Sequence, residues 1–259
     1  MRVVVCVKQI YDPLTVKISR SREEFDLRQA TRKMNPADRA ALEAGLRLRD
    51  AVGGDVIAVT VGDAAAEDAV REAVAMGADH GCLVLDEGPA GLHGAGVARA
   101  LIAALQRVGP ADLVLTGQGN PVDGTGSQAG RLAAILGCPV ALDVVCLEAT
   151  PAGGVQAVVA AGSQTDAVVL PAPAVAEIAS VPDRPRYPTA QRIANVYQPG
   201  LVDICHPAEL GLEPADLDPD IERGGLVLGP ERTPGQILAG AADEVVDAVV
   251  GILRAERVI

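Results

Sequence analysis

Aromatic side chains are nearly absent from this chain: one Phe, three Tyr and no Trp, 2 % of 259 residues. Its core must therefore be aliphatic, built from Val, Ala, Leu and Ile. Positive charge is also scarce. Lys and Arg number 22 against 34 Asp and Glu, and the net charge of −12 argues against nucleic acid as a partner. No apolar run approaches the roughly 18 residues of a spanning helix, so no membrane span is expected. The five cysteines (6, 82, 138, 146 and 205) are odd in number and form no CxxC pair. They read as free thiols in a reducing, cytoplasmic setting rather than as metal ligands or disulfides. The three histidines, His80, His93 and His206, lack a suitably spaced Ser, Cys or carboxylate. No catalytic residue and no metal site are expected.

What is present is an alternation of apolar runs and helical patterns. Met1-Arg2-Val3-Val4-Val5-Cys6-Val7 is too short for a signal sequence and reads as a first buried strand over 3–7. Pro36–Val52 has helical period, with Asn35 as candidate N-cap and Pro36 at the first helical position. Strands are expected over 56–61, 81–85 and 112–116, and helices over 64–76, 92–108 and 126–136. Strands that are apolar throughout and alternate with helices imply an α/β fold with a parallel, doubly wound sheet. After Pro139 the pattern changes. Runs 140–147, 155–161 and 167–170 lack helices between them and read as antiparallel additions. The proline-rich segment from Pro182 to Pro230 reads as an extended C-terminal arm with short helical pieces. Pro234 to Arg254 reads as a final amphipathic helix. The expected organisation is a nucleotide-binding α/β domain over 1–181, a partner-wrapping arm over 182–233 and a C-terminal helix over 234–259.

The most informative stretch runs from Gly117 to Gly130, with glycines at 117, 119, 124, 126 and 130 between an apolar strand and a helix. Glycine lets the backbone approach a ligand closely, and a helix N-terminus favours an anion. The stretch fits a nucleotide phosphate loop at the C-terminal edge of a parallel sheet. It also fits a flexible glycine-rich crossover, since it is neither a GxGxxG fingerprint nor a P-loop. The residues alone leave both open.

Four stretches together resemble the β subunit of electron transfer flavoproteins. They are the opening strand ending Val7-Lys8-Gln9, then Met34-Asn35-Pro36-Ala37-Asp38, then Ala73 to Gly81, and the loop ending Gln128-Ala129-Gly130. Pro185-Arg186-Tyr187-Pro188-Thr189 and the ending Arg257-Val258-Ile259 also match, in the same order along the whole chain. The resemblance implies a sheet of the adenine nucleotide alpha hydrolase-like kind and a heterodimer with an α subunit. That subunit would carry the redox-active FAD, while this chain would hold AMP. It further implies that electrons arrive from a flavin dehydrogenase and leave for a downstream acceptor. Carried over by position, the nucleotide site comprises Cys6, Asn35, Pro36, Asp38, Val61, Asp123, Gly124, Thr125, Gly126, Ser127, Gln128 and Ala129. Asn35 can serve a base or ribose, cap the helix, or do both. Asp38 can be a first-turn acid favoured by the helix dipole. Partner recognition falls on Pro188, Thr189 and Ala190.

The departures are equally specific. Thr125, Ser127 and Ala129 replace the family's acid, Asn and Thr, and upstream Gly117-Gln118-Gly119 is one residue longer than the usual Gly-Lys-Gln, which is closer to the divergent β subunits of nitrogen-fixation and carnitine pathways. Ala157 stands where a basic residue near the flavin is expected. Ala190 stands where a leucine usually meets the dehydrogenase. Two other readings compete with AMP-holding electron carriage. One keeps the heterodimer but places a second FAD in this chain, with electron bifurcation from NADH. The other is a self-associating, universal-stress-like nucleotide sensor, against which the proline-rich arm argues.

Overall fold

The computed structural model describes residues 1–19, 24–86, 88, 92–119, 128–151, 153–179, 184–218 and 234–259. Strand β1 (Arg2–Cys6) leads into two small antiparallel pairs, β2 (Gln9–Tyr11) with β5 (Arg32–Met34) and β3 (Lys17–Ser19) with β4 (Glu24–Asp26). Next come α1 (Pro36–Val52), β6 (Asp55–Gly62), α2 (Glu67–Met76), β7 (His80–Leu85), α3 (Ala95–Val108), β8 (Leu113–Gly117) and α4 (Ala129–Leu136). A β-rich stretch then follows: β9 (Val140–Ala149), β10 (Val155–Ala161), β11 (Gln164–Leu170) and β12 (Ala174–Ile178). Helix α5 (Ala190–Asn195), strand β13 (Val202–Cys205) and helix α6 (Ala242–Ala255) complete the described elements.

The nine-stranded sheet has the order β11-β10-β9-β12-β8-β1-β6-β7-β13. Neighbours from β13 across to β9 are parallel, and β10 and β11 add the antiparallel edge. Alternation along β1 sorts the core. Val3, Val5 and Val7 point into a cluster with α1 and α2, while Val4 and Cys6 point into one with α3 and α4. Both faces are therefore covered, as the continuous apolar strands require. From β1 the chain steps to β6 and β7 on one side, then crosses to β8 on the other. The order reverses between β1 and β8, and such a switch point leaves a crevice beyond the carboxyl ends of the two strands.

The short strands β2 to β5 and two strands of the large sheet were not legible in the sequence. β12 inserts parallel between β8 and β9, so the run over 140–147, expected as an antiparallel addition, lies parallel to β12, and the antiparallel pairing begins only at β10. Within the expected arm, β13 returns to pair with β7, and short 3-10 turns over Pro207–Leu210 and Pro214–Leu217 follow. Leu210, Leu212 and Leu217 pack on the α3 side of the core. The apolar residues of that segment therefore divide. Val196 is buried, whereas Ile193, Tyr197 and Ile204 remain exposed. The last helix begins at Ala242, not Pro234, and none of its residues is buried.

Candidate functional site

The carboxyl ends of β1 and β8 are held together by one side chain. Asp38, in the first turn of α1, is 5 % exposed. Its Oδ2 accepts the backbone amide of Lys8 just past β1 at 2.8 Å, and its Oδ1 accepts that of Gly117 at the end of β8 at 3.0 Å. Burial pushes the carboxyl up to about 7, against the pull of the two amides and of Asn35. The residue thus does more than complement a helix dipole. Gly117 is glycine for a steric reason, since a Cβ there would lie 2.3 Å from Asp38 Oδ1 and 2.4 Å from the Ala37 carbonyl carbon.

Asn35 occupies the N-cap position of α1, but its side chain makes no capping bond. Its Nδ2 donates instead to the carbonyl of Gly119 at 3.2 Å. Its Oδ1 is buried without a hydrogen-bond partner among the described residues, and the residue is 3 % exposed. A buried acceptor left open in this way suits a ligand that brings an N–H or O–H donor. The Oε1 of Gln128 is likewise buried and without a partner among the described residues, at the N-cap position of α4. Ala129, the first residue of α4, is wholly buried.

Cys6 closes β1, in register with Val59 and Thr116. Burial, and to a lesser degree the Asp38 charge, push its thiol far up, so it is a neutral packing group and not a nucleophile. Val61 lies near the end of β6, one strand away, and is half-buried. Pro36 opens α1. The structure therefore gathers Cys6, Asn35, Pro36 and Asp38 around the β1–β8 crevice, with Val61 beside it and Gln128 and Ala129 opening α4. Asp123, Gly124, Thr125, Gly126 and Ser127 lie outside the described residues. Sequence reasoning missed the backbone partners Lys8 and Gly119 and the Gln118–Asp143 contact, whose side chains meet at 2.6 Å. Gly117 and Gly119 stood in the glycine-rich stretch; Asp143 carried no signal.

Two other expectations can be placed. Ala157 is fully buried in the α1-side core, so the position faces no flavin, and an arginine there would have no space. Its neighbour Gln156 is the exposed one. Thr189 caps α5, with its hydroxyl accepting the Arg192 amide at 3.3 Å, and Pro188 and Ala190 flank that cap. Arg71 of α2 fastens α5 from behind. Its guanidinium donates to the Val196 carbonyl and lies 4.6 Å over the Tyr197 ring.

The electron transfer flavoprotein domain family matches residues 25–198. Over its full length the chain is 29 % identical to the full length of the electron transfer flavoprotein subunit beta of Thermoanaerobacterium thermosaccharolyticum. This chain belongs to the electron transfer flavoprotein family, on its β-subunit branch. A second electron transfer flavoprotein subunit beta, from Syntrophomonas wolfei, is 32 % identical over 74 % of this chain and 75 % of its own length. Protein FixA of Azorhizobium caulinodans is 35 % identical, over 50 % of this chain and 47 % of its own. The Caffeyl-CoA reductase-Etf complex subunit CarD of Acetobacterium woodii is 36 % identical over 54 % of each chain. Among the described residues of this flavoprotein subunit, no group of His, Cys, Asp or Glu could hold a metal ion. No described helix is long and apolar enough to cross a membrane.

Proposed function

We propose that this chain is the β subunit of a heterodimeric electron transfer flavoprotein, and that it holds AMP structurally in the crevice beyond β1 and β8. In this reading it is an electron carrier, not an enzyme. The redox-active FAD is held mainly by an α subunit, electrons come from a flavin dehydrogenase, and they leave for a downstream acceptor. The observation that carries the nucleotide is the open acceptor of Asn35, buried at the switch point where α/β folds take nucleotides. Adenine amino and ribose hydroxyl groups are donors of the kind it lacks. The N-terminus of α4 and the glycine-rich loop before it suit the phosphate, with Gln128 and Ala129 nearest and residues 123–127 completing the loop.

The partner side rests on different residues. The amphipathic α6 leaves Val246, Val249 and Ile252 exposed, beside the terminal Val258 and Ile259. An apolar stripe of this kind needs another surface, and the α subunit supplies it. The arm lends its exposed Ile193, Tyr197 and Ile204 to that partner, and 234–259 dock on it. The dehydrogenase meets Pro188, Thr189 and Ala190 at the start of α5. Five free thiols agree with a reducing, cytoplasmic setting.

The test is co-expression with an α subunit, followed by denaturation, mass spectrometry and absorption of the released nucleotides. One AMP and one FAD per heterodimer is the expected result. Two FAD and no AMP would replace this reading with the second-flavin, bifurcating one. No adenine nucleotide beyond the α subunit's FAD would overturn the site.

A further inference from the structure

We propose that Asp143 is a positioning residue for nucleotide binding: from a bulge in β9 its carboxylate holds Gln118, and with it the entry of the glycine-rich loop. The proposal rests on the nucleotide reading above and adds a residue that the family resemblance does not point to.

The bulge is visible in the strand register. β12 advances from Ala176 to Ile178 while β9 advances from Ala141 to Val144, so β9 carries an extra residue there. The same irregularity shows on the other side of β9, where Val158 faces Cys146 but Val159 faces Val144. Asp143 sits in that gap with φ of 54°, a conformation that residues other than Gly, Asn and Asp seldom adopt. Bulges of this kind re-aim a side chain beside functional sites. Here the re-aimed side chain reaches Gln118, whose Nε2 donates to Asp143 Oδ1 at 2.6 Å.

Gln118 is one of three successive residues fixed from three directions. The Gly117 amide is held by Asp38 of α1 at 3.0 Å. The Gln118 amide is held by the Ile178 carbonyl of β12 at 2.9 Å, and its side chain by Asp143 of β9. The Gly119 carbonyl is held by Asn35 at 3.2 Å. A loop whose first residues are fixed before the ligand arrives loses less freedom on binding, which raises affinity without a new contact. A bare carboxylate near a phosphate loop would repel the ligand. The Gln118 amide is neutral and leaves that charge in place, so Asp143 serves the loop only as an acceptor. The important property is therefore the acceptor oxygen, not the charge.

The experiment uses the heterodimer, stripped of nucleotide and titrated with AMP by calorimetry. Asp143→Asn keeps an acceptor and tolerates the positive φ, so it should bind AMP within about twofold of the natural protein or more tightly. Asp143→Gly tolerates the same φ but loses the acceptor, and Gln118→Ala loses the donor. Each should weaken AMP binding by up to about tenfold, the worth of one hydrogen bond. The double variant should be no weaker than either single one. In the nucleotide-free protein, hydrogen exchange at the Gln118 and Gly119 amides should accelerate in Asp143→Gly and Gln118→Ala but not in Asp143→Asn. Natural affinity and natural exchange in Asp143→Gly would overturn the proposal, as would losses that multiply in the double variant. A natural heterodimer that binds no AMP would instead sink the nucleotide reading on which the proposal rests.

Discussion

Arg186 binds Glu43 through its backbone amide and Nε, both to Oε2 at 3.0 and 2.9 Å, and through Nη2 to Oε1 at 3.1 Å. The Glu43 side chain is 4 % exposed and that of Arg186 is 33 % exposed, so the segment before α5 is anchored onto α1 by a half-desolvated pair. Burial pushes the Glu43 carboxyl up, but the Arg186 hydrogen bonds outweigh it and hold the group below its ordinary value of 4.5. Arg186→Ala leaves the buried Glu43 with Arg47 and the backbone amide of residue 186, and should cost about 2 kcal/mol, less than breaking a fully buried pair. Because the folded value is depressed, this stabilisation is present above pH 4.5 and is lost as pH falls through the folded value. Denaturant titrations of both proteins at falling pH should show their difference shrinking. A difference that grows in acid would rule out this account of the pair.

Gly117 and Gly130 make a matched pair of glycine tests. At Gly117 an added Cβ meets Asp38 Oδ1 at 2.3 Å and backbone just beyond it, so α1 would have to move off β8. Gly117→Ala should lose about 3 kcal/mol, the upper end of overpacking costs. At Gly130, inside α4, an added Cβ meets nothing within 4 Å among the described residues. Gly130→Ala should gain up to about 1 kcal/mol from helix propensity. Thermal unfolding of the two variants checks both signs, and equal effects would mean that the α1–β8 contact is looser than described.

Asp38 predicts a pH dependence of the opposite sense. Its folded value, raised to about 7 by burial, stands above the ordinary 3.8. The folded protein binds the extra proton, so its contribution is complete below pH 3.8, declines as pH rises through the folded value and is flat beyond it. Asp38→Asn removes that titration. The stability difference between the natural protein and Asp38→Asn should therefore fall as pH rises across this window, in urea unfolding of the nucleotide-free protein. A difference that stays flat or rises would mean that the Lys8 and Gly117 amides outweigh burial and keep the carboxylate ionised.

Removing residues 234–259 should separate folding from assembly. No residue of α6 is buried, so the truncated chain should keep its melting temperature to within about 2 °C, since surface changes away from packed features cost little. Association with the α subunit, followed by size exclusion at micromolar concentration, should be lost. Retained association would move the docking surface to other parts of the chain.

How much of this was legible beforehand follows from the range of the forces involved. The helix over Pro36–Val52 and the strand over Val155–Ala161 were read to the residue, because proline, glycine and apolar periodicity are local signals. The parallel sheet followed from strands without polar alternation, and the glycine-rich stretch was read at the C-terminal edge of that sheet, where it follows β8. β12, a short apolar run after a proline turn, and β13, a short strand within a proline-rich segment, gave no such signal. Their pairing with β8 and β7 is decided by partners far away in sequence. The same holds for the site. Asn35 and Asp38 were picked out by sequence, but their partners were not. Asn35 fitted a cap and Asp38 a first-turn acid, and both instead turn to the far end of β8, at Gly119 and Gly117. Ala157 looked available to a flavin until the pleat of β10 put it inside the core. Local chemistry in the sequence thus determined the long helices, most strands of the large sheet and which residues stand near the crevice. Only the tertiary structure decided what each polar atom binds, because a buried donor or acceptor takes whatever partner the packing brings within 3 Å or so.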